Sequence, residues 1–478
     1  MFEGVKNFVR QVVGRMTGWG DIRRAMSSGA GAASGVVSDT MERAIELWGQ
    51  LYANRAPWIS GTCKSLNLPA TIAAEVARLV TLEAEITVSG EKSAEYLQEQ
   101  IQATVEKLRK WTEYACAFGG VVFKPFVAKD GISVDCVLPA NFVPTSFDSR
   151  GNMTGAVFAD RIYRGQEWYT RLESHGFDGE IYRITNKAYK SDSESQLGRE
   201  ISLQQVQEWA DIEPEVTVEN LSSPLFSYFR IPLANQVDAA SPLGVSVYSR
   251  AVDLIKEADA QYSRILWEYE GAELAVDASA DLFRRDKDGK PVLPKGRERL
   301  FRALDLDTLN TNGMSGAMQT FSPDIRDSSL FNGLDQLLKQ IESRCGLSYG
   351  TISKMEETAK TATEIRASRQ RLHATVTDIQ KSLEDALRHL VECMDVLAVT
   401  YRLNTAGKWE LTAKWDDSIV TDADTERMKD KEDVRDGIMQ KWEYRMKWYG
   451  EDEETAKKAV SGSKTDAEWM GFSTGGGE

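Results

Sequence analysis

Histidine is scarce in this chain: His175, His373 and His389 are the only three in 478 residues. The five cysteines are scattered and form no CxxC pair, which favours reduced intracellular thiols over a zinc site or a disulfide framework. The Walker pattern of phosphate-binding loops is absent, and so are HExxH and any Ser/His/Asp grouping that can be argued. We therefore expect no catalytic residue, no metal and no cofactor.

Long apolar runs are also missing. None approaches the roughly 20 residues that span a bilayer, and the first residues lack the apolar core of a signal peptide, so synthesis in the cytoplasm is expected. Acidic residues outnumber basic ones by 73 to 58, which gives a net charge of −15. An acidic chain does not clamp nucleic acid by neutralising phosphates, and any DNA contact should be loose or local.

Residues 2–16 carry apolar side chains with Lys6, Arg10 and Arg15 between them, a pattern that predicts a short basic amphipathic helix. Such a helix either docks on another part of a protein or lies on a membrane surface. Docking is the commoner outcome, and we expect no membrane partner. The stretch 27–35, SSGAGAASG, has the composition of a flexible linker.

The longest periodic stretch is residues 361–404. Its apolar side chains recur every three or four positions and so lie on one face of a single helix: Ile365, Leu372, Val376, Ile379, Leu383, Leu387, Leu390, Met394, Leu397 and Tyr401. Thr361 and Glu364 form a capping box at its start, and Gly407 is a stop signal beyond its end. At about 1.5 Å per residue this helix would be roughly 60 Å long, which suits a wall that crosses several layers of an assembly.

Helical and strand periodicities succeed one another along the rest of the chain, so an α+β fold that is mainly helical is expected. The predicted segments are helices within 38–85 and over 93–118, a meander of strands over 121–189, a strand at 225–231, helices at 241–270 and 328–346 around an insert of strands and loops, a strand at 409–415, helices at 421–449 and 451–460, and a disordered tail.

Two groups of polar residues are candidate contact sites. The insert carries a basic cluster, for which a solvated surface is the simpler interpretation in a lone monomer. The second group lies on the polar side of the 328–346 helix and in the loop after it, where Lys354 and Lys360 either contact phosphates or pair with Glu356 and Glu357.

Several motifs resemble those of the portal proteins of long-tailed double-stranded DNA bacteriophages. The resemblance covers about residues 41–460 and is carried by LWGQLY with Pro57-Trp58 and LNLP near the start, Phe118-Gly119-Gly120 before a Lys-Pro strand, LPANFVP at 138–144, SPDIR at 322–326, CGLSYGTIS at 345–353, and KTATE at 360–364.

The resemblance implies a structural subunit of a ring, normally dodecameric, at one capsid vertex of the virion. Double-stranded DNA passes through such a ring during packaging and ejection, and the implied partners are terminase, head–tail connector proteins, and major capsid and scaffolding proteins. The implied regions are N-terminal linker and wing at 1–240, first stem helix at 241–270, clip at 271–327, second stem helix at 328–346, tunnel loop at 347–360, spine at 361–404, wing strand at 405–418, crown at 419–460 and tail at 461–478.

The resemblance also assigns roles to the polar groups. The expected DNA-channel residues are Ser353, Lys354 and Lys360 in the loop and Asn332, Gln336, Lys339 and Ser343 on the stem face; the expected partner-docking residues in the clip are Arg284, Arg285, Lys287, Lys290, Lys295 and Arg297. Two other classes stay open as alternatives. One is a minor capsid or scaffold-like protein, and the other is a nucleic-acid-processing enzyme.

Overall fold

The computed structural model describes residues 37–129, 131–272, 275–279, 282–288, 290–293, 301–304, 318–321, 324–354, 362–415 and 423–462. The predicted helix at 2–16, the capping residue Thr361 and most of the tail lie outside these ranges. The described helices are α1 (Asp39–Tyr52), α2 (Leu68–Val80), α3 (Lys92–Val105), α4 (Leu108–Phe118), α5 (Val252–Gly271), α6 (Asp327–Cys345), α7 (Ala362–Thr400), α8 (Ala423–Arg435), α9 (Lys441–Tyr449) and α10 (Glu453–Gly462).

The described strands form five sheets. A six-stranded antiparallel sheet has the order β4-β5-β6-β7-β8, with β9 also paired to β7; a second sheet has the order β10-β2-β3; and β14-β11-β15, β12-β13 and β1-β16 make smaller sheets. Helices and antiparallel sheets in one chain confirm the predicted α+β class. The strands are β1 (Glu85–Gly90), β2 (Gly120–Ala128), β3 (Gly131–Val137), β4 (Phe142–Phe147), β5 (Met153–Arg164), β6 (Glu167–Asp178), β7 (Ile181–Ser191), β8 (Arg199–Ile201), β9 (Glu215–Glu219), β10 (Ser227–Arg230), β11 (Ala275–Ser279), β12 (Arg284–Arg285), β13 (Pro291–Val292), β14 (Phe301–Leu304), β15 (Met318–Phe321) and β16 (Trp409–Lys414).

The helix predicted at 361–404 is α7, and its apolar periodicity is confirmed as a buried face from Leu372 to Met394. Tyr401, predicted on the same face, lies beyond the end of the helix and is 56% exposed. Leu383, Leu387, Leu390 and Met394 are all fully buried, packed beside β10 and β2. The helix ends at Thr400 rather than near Gly407. Arg402 takes a left-handed conformation with φ of 57°, and the Leu403 N–H donates to the Ala398 carbonyl at 2.8 Å, which closes the helix before a glycine is needed.

The helix predicted at 241–270 begins only at Val252, preceded by a 3-10 turn at Ser249–Ala251. Residues 241–248 are not helical, because tertiary packing uses their backbone: the Val247 N–H donates to the Cys116 carbonyl at 3.0 Å. A Cβ on Gly244 would lie 2.0 Å from the Gly119 carbonyl oxygen. The contact requires glycine at both positions, which explains how α4 turns into β2 here.

The predicted helix at 93–118 is two helices, α3 and α4, separated at residues 106–107. The predicted helix at 421–449 is likewise two, α8 and α9, because Gly437 adopts φ of 78° and Gln440 starts a new capping box with Glu443. Ile438, predicted on the buried face, lies in this break and is 76% exposed. Tyr444 fills the small core instead, packed with Val434.

The chain divides into two compact units. One comprises Met1–Thr81 and Ile86–Ala413, and the other comprises Leu82–Glu85 and Lys414–Glu478. The second unit contains α8, α9 and α10, the region predicted as crown. Its core is reinforced by Asp430, which accepts from the Trp448 indole at 2.8 Å and pairs with Lys447 at 2.7 Å.

Charged side chains are grouped around Glu173 of β6, where they are largely buried. Its carboxylate pairs with Lys124 Nζ at 2.5 Å and Arg171 Nη2 at 3.3 Å, and it accepts from His175 Nε2 at 2.8 Å. Burial opposes ionisation of Glu173, but these partners hold its pKa well below the usual range.

The same group fixes the protonation of His175. The ionised Glu173 carboxylate can only accept, so His175 Nε2 donates to it at 2.8 Å. In the neutral ring Nδ1 then accepts from the Tyr182 hydroxyl at 2.8 Å, and the oxygen of that hydroxyl accepts from the Leu225 N–H at 3.0 Å. The proton of the imidazole is then on Nε2, directed at Glu173. Burial lowers the pKa of His175 despite this carboxylate, and the ring is neutral near pH 7.

Glu173→Gln should lower the free energy of unfolding by about 3–5 kcal/mol, because it leaves buried cations without their counter-charge. Glu173 stabilises the fold only while ionised, above its unfolded pKa of about 4.3, so the deficit should narrow as the pH falls below that value. Urea unfolding at pH 7 and at lower pH measures both effects. Glu208→Gln, at an exposed pair with Arg164, is the matched control and should cost at most about 1 kcal/mol; equal losses in the two variants would contradict the assignment.

Candidate nucleic-acid interface

Helices α5 and α6 pack against each other. In sequence, they precede and follow the predicted clip. Arg326, just before α6, donates to the Glu268 carboxylate of α5 through Nε at 3.0 Å and Nη2 at 2.8 Å. Further along, Gln261 Nε2 donates to the Leu330 carbonyl at 3.2 Å. These contacts join the two predicted stem helices as a pair.

Helix α5 is also anchored to the segment between α1 and α2. Asp259 is 2% exposed, and its carboxylate accepts from the Trp58 indole at 2.9 Å and from the Leu66 N–H at 2.8 Å. Asp259 lies among apolar residues on the buried side of this helix. The two donors explain how a carboxylate is tolerated there.

Helix α6 ends at a left-handed glycine that also touches α7. Gly346 has φ of 74°, and the Leu347 N–H returns to the Glu342 carbonyl at 2.9 Å. A Cβ on Gly346 would lie 2.4 Å from Thr375 Oγ1 of α7. One turn away, Arg371 Nη1 donates to Ser343 Oγ at 3.0 Å, so the spine fixes the end of the stem helix.

The turn that follows is held by the side chain of Glu342. This residue has no exposed surface, and its carboxylate accepts four hydrogen bonds: Oε1 from the Ile352 and Ser353 N–H groups at 2.6 and 2.9 Å, and Oε2 from the Gly350 N–H and the Ser353 hydroxyl at 3.2 and 2.8 Å. Residues 348–353 thus fold back over the helix that precedes them.

A second carboxylate of α6, Asp335, receives the next residue of the turn. Its Oδ1 accepts from the Lys354 N–H at 2.8 Å, and its Oδ2 pairs with Lys339 Nζ at 2.8 Å. Burial acts to raise the pKa of Asp335, but the bonds from Lys339 and Lys354 lower it on balance. Lys354 itself is exposed.

The predicted channel residues separate into two groups. Asn332 and Gln336 are exposed on α6, as is Lys354 after it, so their roles stay predictions. Ser353, Lys339 and Ser343 do not fit a free DNA-facing position, because each is held by its own chain: Ser353 by Glu342, Lys339 by Asp335 with its side chain 13% exposed, and Ser343 by Arg371. Lys360 lies outside the described residues.

The predicted clip cluster is described in part. Arg284 and Arg285 form β12, which pairs with β13, and Asp286 Oδ1 closes the turn by accepting from the Asp288 and Lys290 N–H groups at 2.9 and 2.8 Å. The side chains of Arg284, Arg285, Lys287 and Lys290 are exposed on this hairpin. Lys295 and Arg297 lie outside the described residues.

The sequence-based prediction missed Asp335 and Glu342. Both lie among the apolar positions of α6, next to Leu334 and Ile341, and a charged residue beside core positions was the available signal. Their partners are backbone N–H groups of a later turn, which no side-chain pattern reveals.

Two further properties concern the described residues only. Within them no group of three or more His, Cys, Asp or Glu side chains is arranged to hold a metal ion. No helix in the same ranges combines the length and apolarity needed to cross a membrane.

Two packed helices with an insert between them in sequence, a loop anchored on the second helix and the long helix α7 match the order of elements expected for a portal-type subunit, which is a structural class. Residues 65–444 match the family described as phage portal protein, SPP1 Gp6-like. The chain belongs to this family, and its role is that of a portal protein, a component of the phage particle.

Solved structures of two particle necks are similar in fold. They are titled "Neck of native GTA particle computed with C12 symmetry" and "Neck of empty GTA particle computed with C6 symmetry"; each alignment covers 90% of this chain and 98% of the other, at 13% identity and a TM-score of 0.41. Such a distant likeness adds no argument about function. A search of curated proteins found no significant match.

Gly346→Ala should lower the free energy of unfolding by about 1–2 kcal/mol for the left-handed conformation alone, with an added cost from the Thr375 contact. Denaturant unfolding measures the loss. Gly271→Ala, at the end of α5 with no atom within 4 Å of the new Cβ, is the control and should be neutral or slightly stabilising. Adding Thr375→Ala should recover the steric part only; full recovery would show that the conformation of Gly346 is not limiting.

Proposed function

We propose that copies of this chain form a ring whose central channel conducts double-stranded DNA without sequence preference. The exposed side of α6 and Lys354 would line that channel, with terminase and then connector proteins docked at the clip, and capsid and scaffolding proteins around the ring. The virion would be its final location, after assembly in the host cytoplasm.

One observation carries the channel assignment. Among the exposed residues of α6, only Arg344 is charged; the others are Ser328, Ser329, Phe331, Asn332, Gly333, Gln336 and Gln340. DNA is held by proteins mainly through neutralised phosphates, so a surface with few free cations lets it slide. The cation of Lys339 is already bound to Asp335, which keeps this surface weakly charged.

The hairpin of the clip supports a different kind of contact. Its exposed basic side chains are close in sequence, and a ring would present every copy at one end. Such a concentration of positive charge suits docking on acidic protein surfaces, where it raises the association rate and makes binding sensitive to salt.

Lys354→Ala should reduce DNA packaging or retention while ring assembly stays normal, because the substitution removes an exposed cation and keeps the backbone bond to Asp335. Packaged DNA per particle measures the first effect, and electron microscopy of purified rings measures the second. Substituting Lys354 is a more specific test than deleting residues 348–357, because the deletion would also remove all four hydrogen-bond donors to Glu342. Lys187→Ala, at an exposed lysine of β7, is the control, and normal packaging by Lys354→Ala would refute the proposed contact.

The double substitution Lys287→Glu and Lys290→Glu should weaken binding of the purified terminase by about tenfold or more at low salt, since it reverses two exposed charges and leaves the hairpin backbone bonds intact. The difference should shrink as ionic strength rises. Lys187→Glu reverses one exposed charge elsewhere and should bind normally. Unchanged terminase affinity would remove the clip hairpin from the docking surface.

A further inference from the structure

We propose that Asp335 and Glu342 are positioning residues for Lys354: the two carboxylates fasten residues 348–354 along α6 and so hold the lysine at a set place on the channel wall. The inference rests on the proposed function, in which Lys354 contacts DNA. It goes beyond that function because it assigns the placement of the contact to two residues that never touch DNA.

The first support is the cost of burying Glu342. A carboxylate removed from water costs several kcal/mol unless hydrogen bonds and charges compensate. Among the described residues, all four donors to Glu342 lie in residues 350–353. The hydrogen bonds from this turn therefore compensate the burial of the carboxylate, and the turn stays bound to α6 as long as Glu342 is buried.

The second support is the direction of the turn. Asp335 and Glu342 are seven residues apart, which is about two helical turns or roughly 10 Å along α6. The chain leaves the helix at Gly346, meets Glu342 at residues 350–353 and meets Asp335 at Lys354. It therefore runs back along the helix, and the two carboxylates fix it at two separate points.

The turn is also ordered from within. Leu347 has no exposed surface, Thr351 Oγ1 donates to the Ser348 carbonyl at 2.6 Å, and the Gly350 N–H is shared with Ser353 Oγ at 3.1 Å. Everything up to the backbone of Lys354 is thus fixed to the helix. Only the lysine side chain needs to be ordered on contact, which lowers the entropic cost of each contact.

Glu342→Gln tests the anchoring directly. It should speed amide exchange at Gly350, Ile352 and Ser353 by about tenfold or more, because an amide group offers one acceptor oxygen where the carboxylate offers two. Ser353→Ala is the milder variant and should speed exchange at Gly350 alone. Gln340→Ala, exposed on the same helix, should leave all three amides unchanged. Unchanged exchange in Glu342→Gln would overturn the inference.

The effect on DNA separates positioning from general stability. Glu342→Gln should reduce packaged DNA per particle to about the level of Lys354→Ala, and the double variant should show no further loss, provided that all three form rings. Multiplying losses would show that Glu342 acts other than through Lys354, which overturns the inference. Normal packaging by Lys354→Ala overturns the proposed function instead, whatever the exchange rates are.

Discussion

The structure of the larger unit depends on the burial of one face of α7. Polar contacts along this helix reach segments far apart in sequence: Gln380 Nε2 donates to the Val80 carbonyl at 3.2 Å, and Ser382 Oγ donates to the Arg230 carbonyl at 2.6 Å. Ser227 Oγ donates in turn to the Ala386 carbonyl at 2.6 Å. The bonds made by Gln380 and Ser227 satisfy buried groups that would otherwise cost free energy, which helps the apolar face to be buried there.

Helix α7 and the residues just after it also contact the ends of neighbouring helices and strands. His389 Nε2 of α7 donates to the Pro224 carbonyl at 3.1 Å, shortly before β10. Just past the end of α7, Asn404 Nδ2 donates to the Ser93 carbonyl at 3.1 Å, near the start of α3. At the other end, Thr375 and Arg371 meet the last turn of α6. The regions predicted as wing and stem therefore both contact one common element.

Periodicity along the sequence predicted the elements whose partners repeat regularly. It was sufficient for α7, α6 and the strands of the large sheet, because the buried residues described in each recur with the period of that helix or strand. The prediction from periodicity failed at 241–251, where the residues have helical spacing but are buried by backbone contacts around Gly119 and Gly244. It also failed at Ile438, since a single left-handed glycine moved the residue out of the helix.

The candidate site was predictable only in its exposed part. Lys354, Asn332 and Gln336 could be chosen because exposure follows from helix phase and loop composition. Ser353, Lys339 and Ser343 have the same polarity in sequence, yet each is bound to its own chain. Hydrogen bonds to backbone groups of another segment decide this difference, and they depend on the fold rather than on local pattern.

An acidic subunit can contact DNA productively if its cations are few and fixed. Each phosphate neutralised by a protein contributes about 0.9 to the slope of log affinity against log salt on B-DNA, so many free lysines per subunit would hold the duplex in place. In the proposed channel, the exposed cations of residues 327–354 would be Arg344 on α6 and Lys354 on the anchored turn. So small a number would limit that gain, and the field of each fades over about 8 Å at physiological salt. In the proposed channel, pairing Lys339 with Asp335 while Lys354 stays exposed would keep the contact weak enough for DNA to move and local enough to guide it.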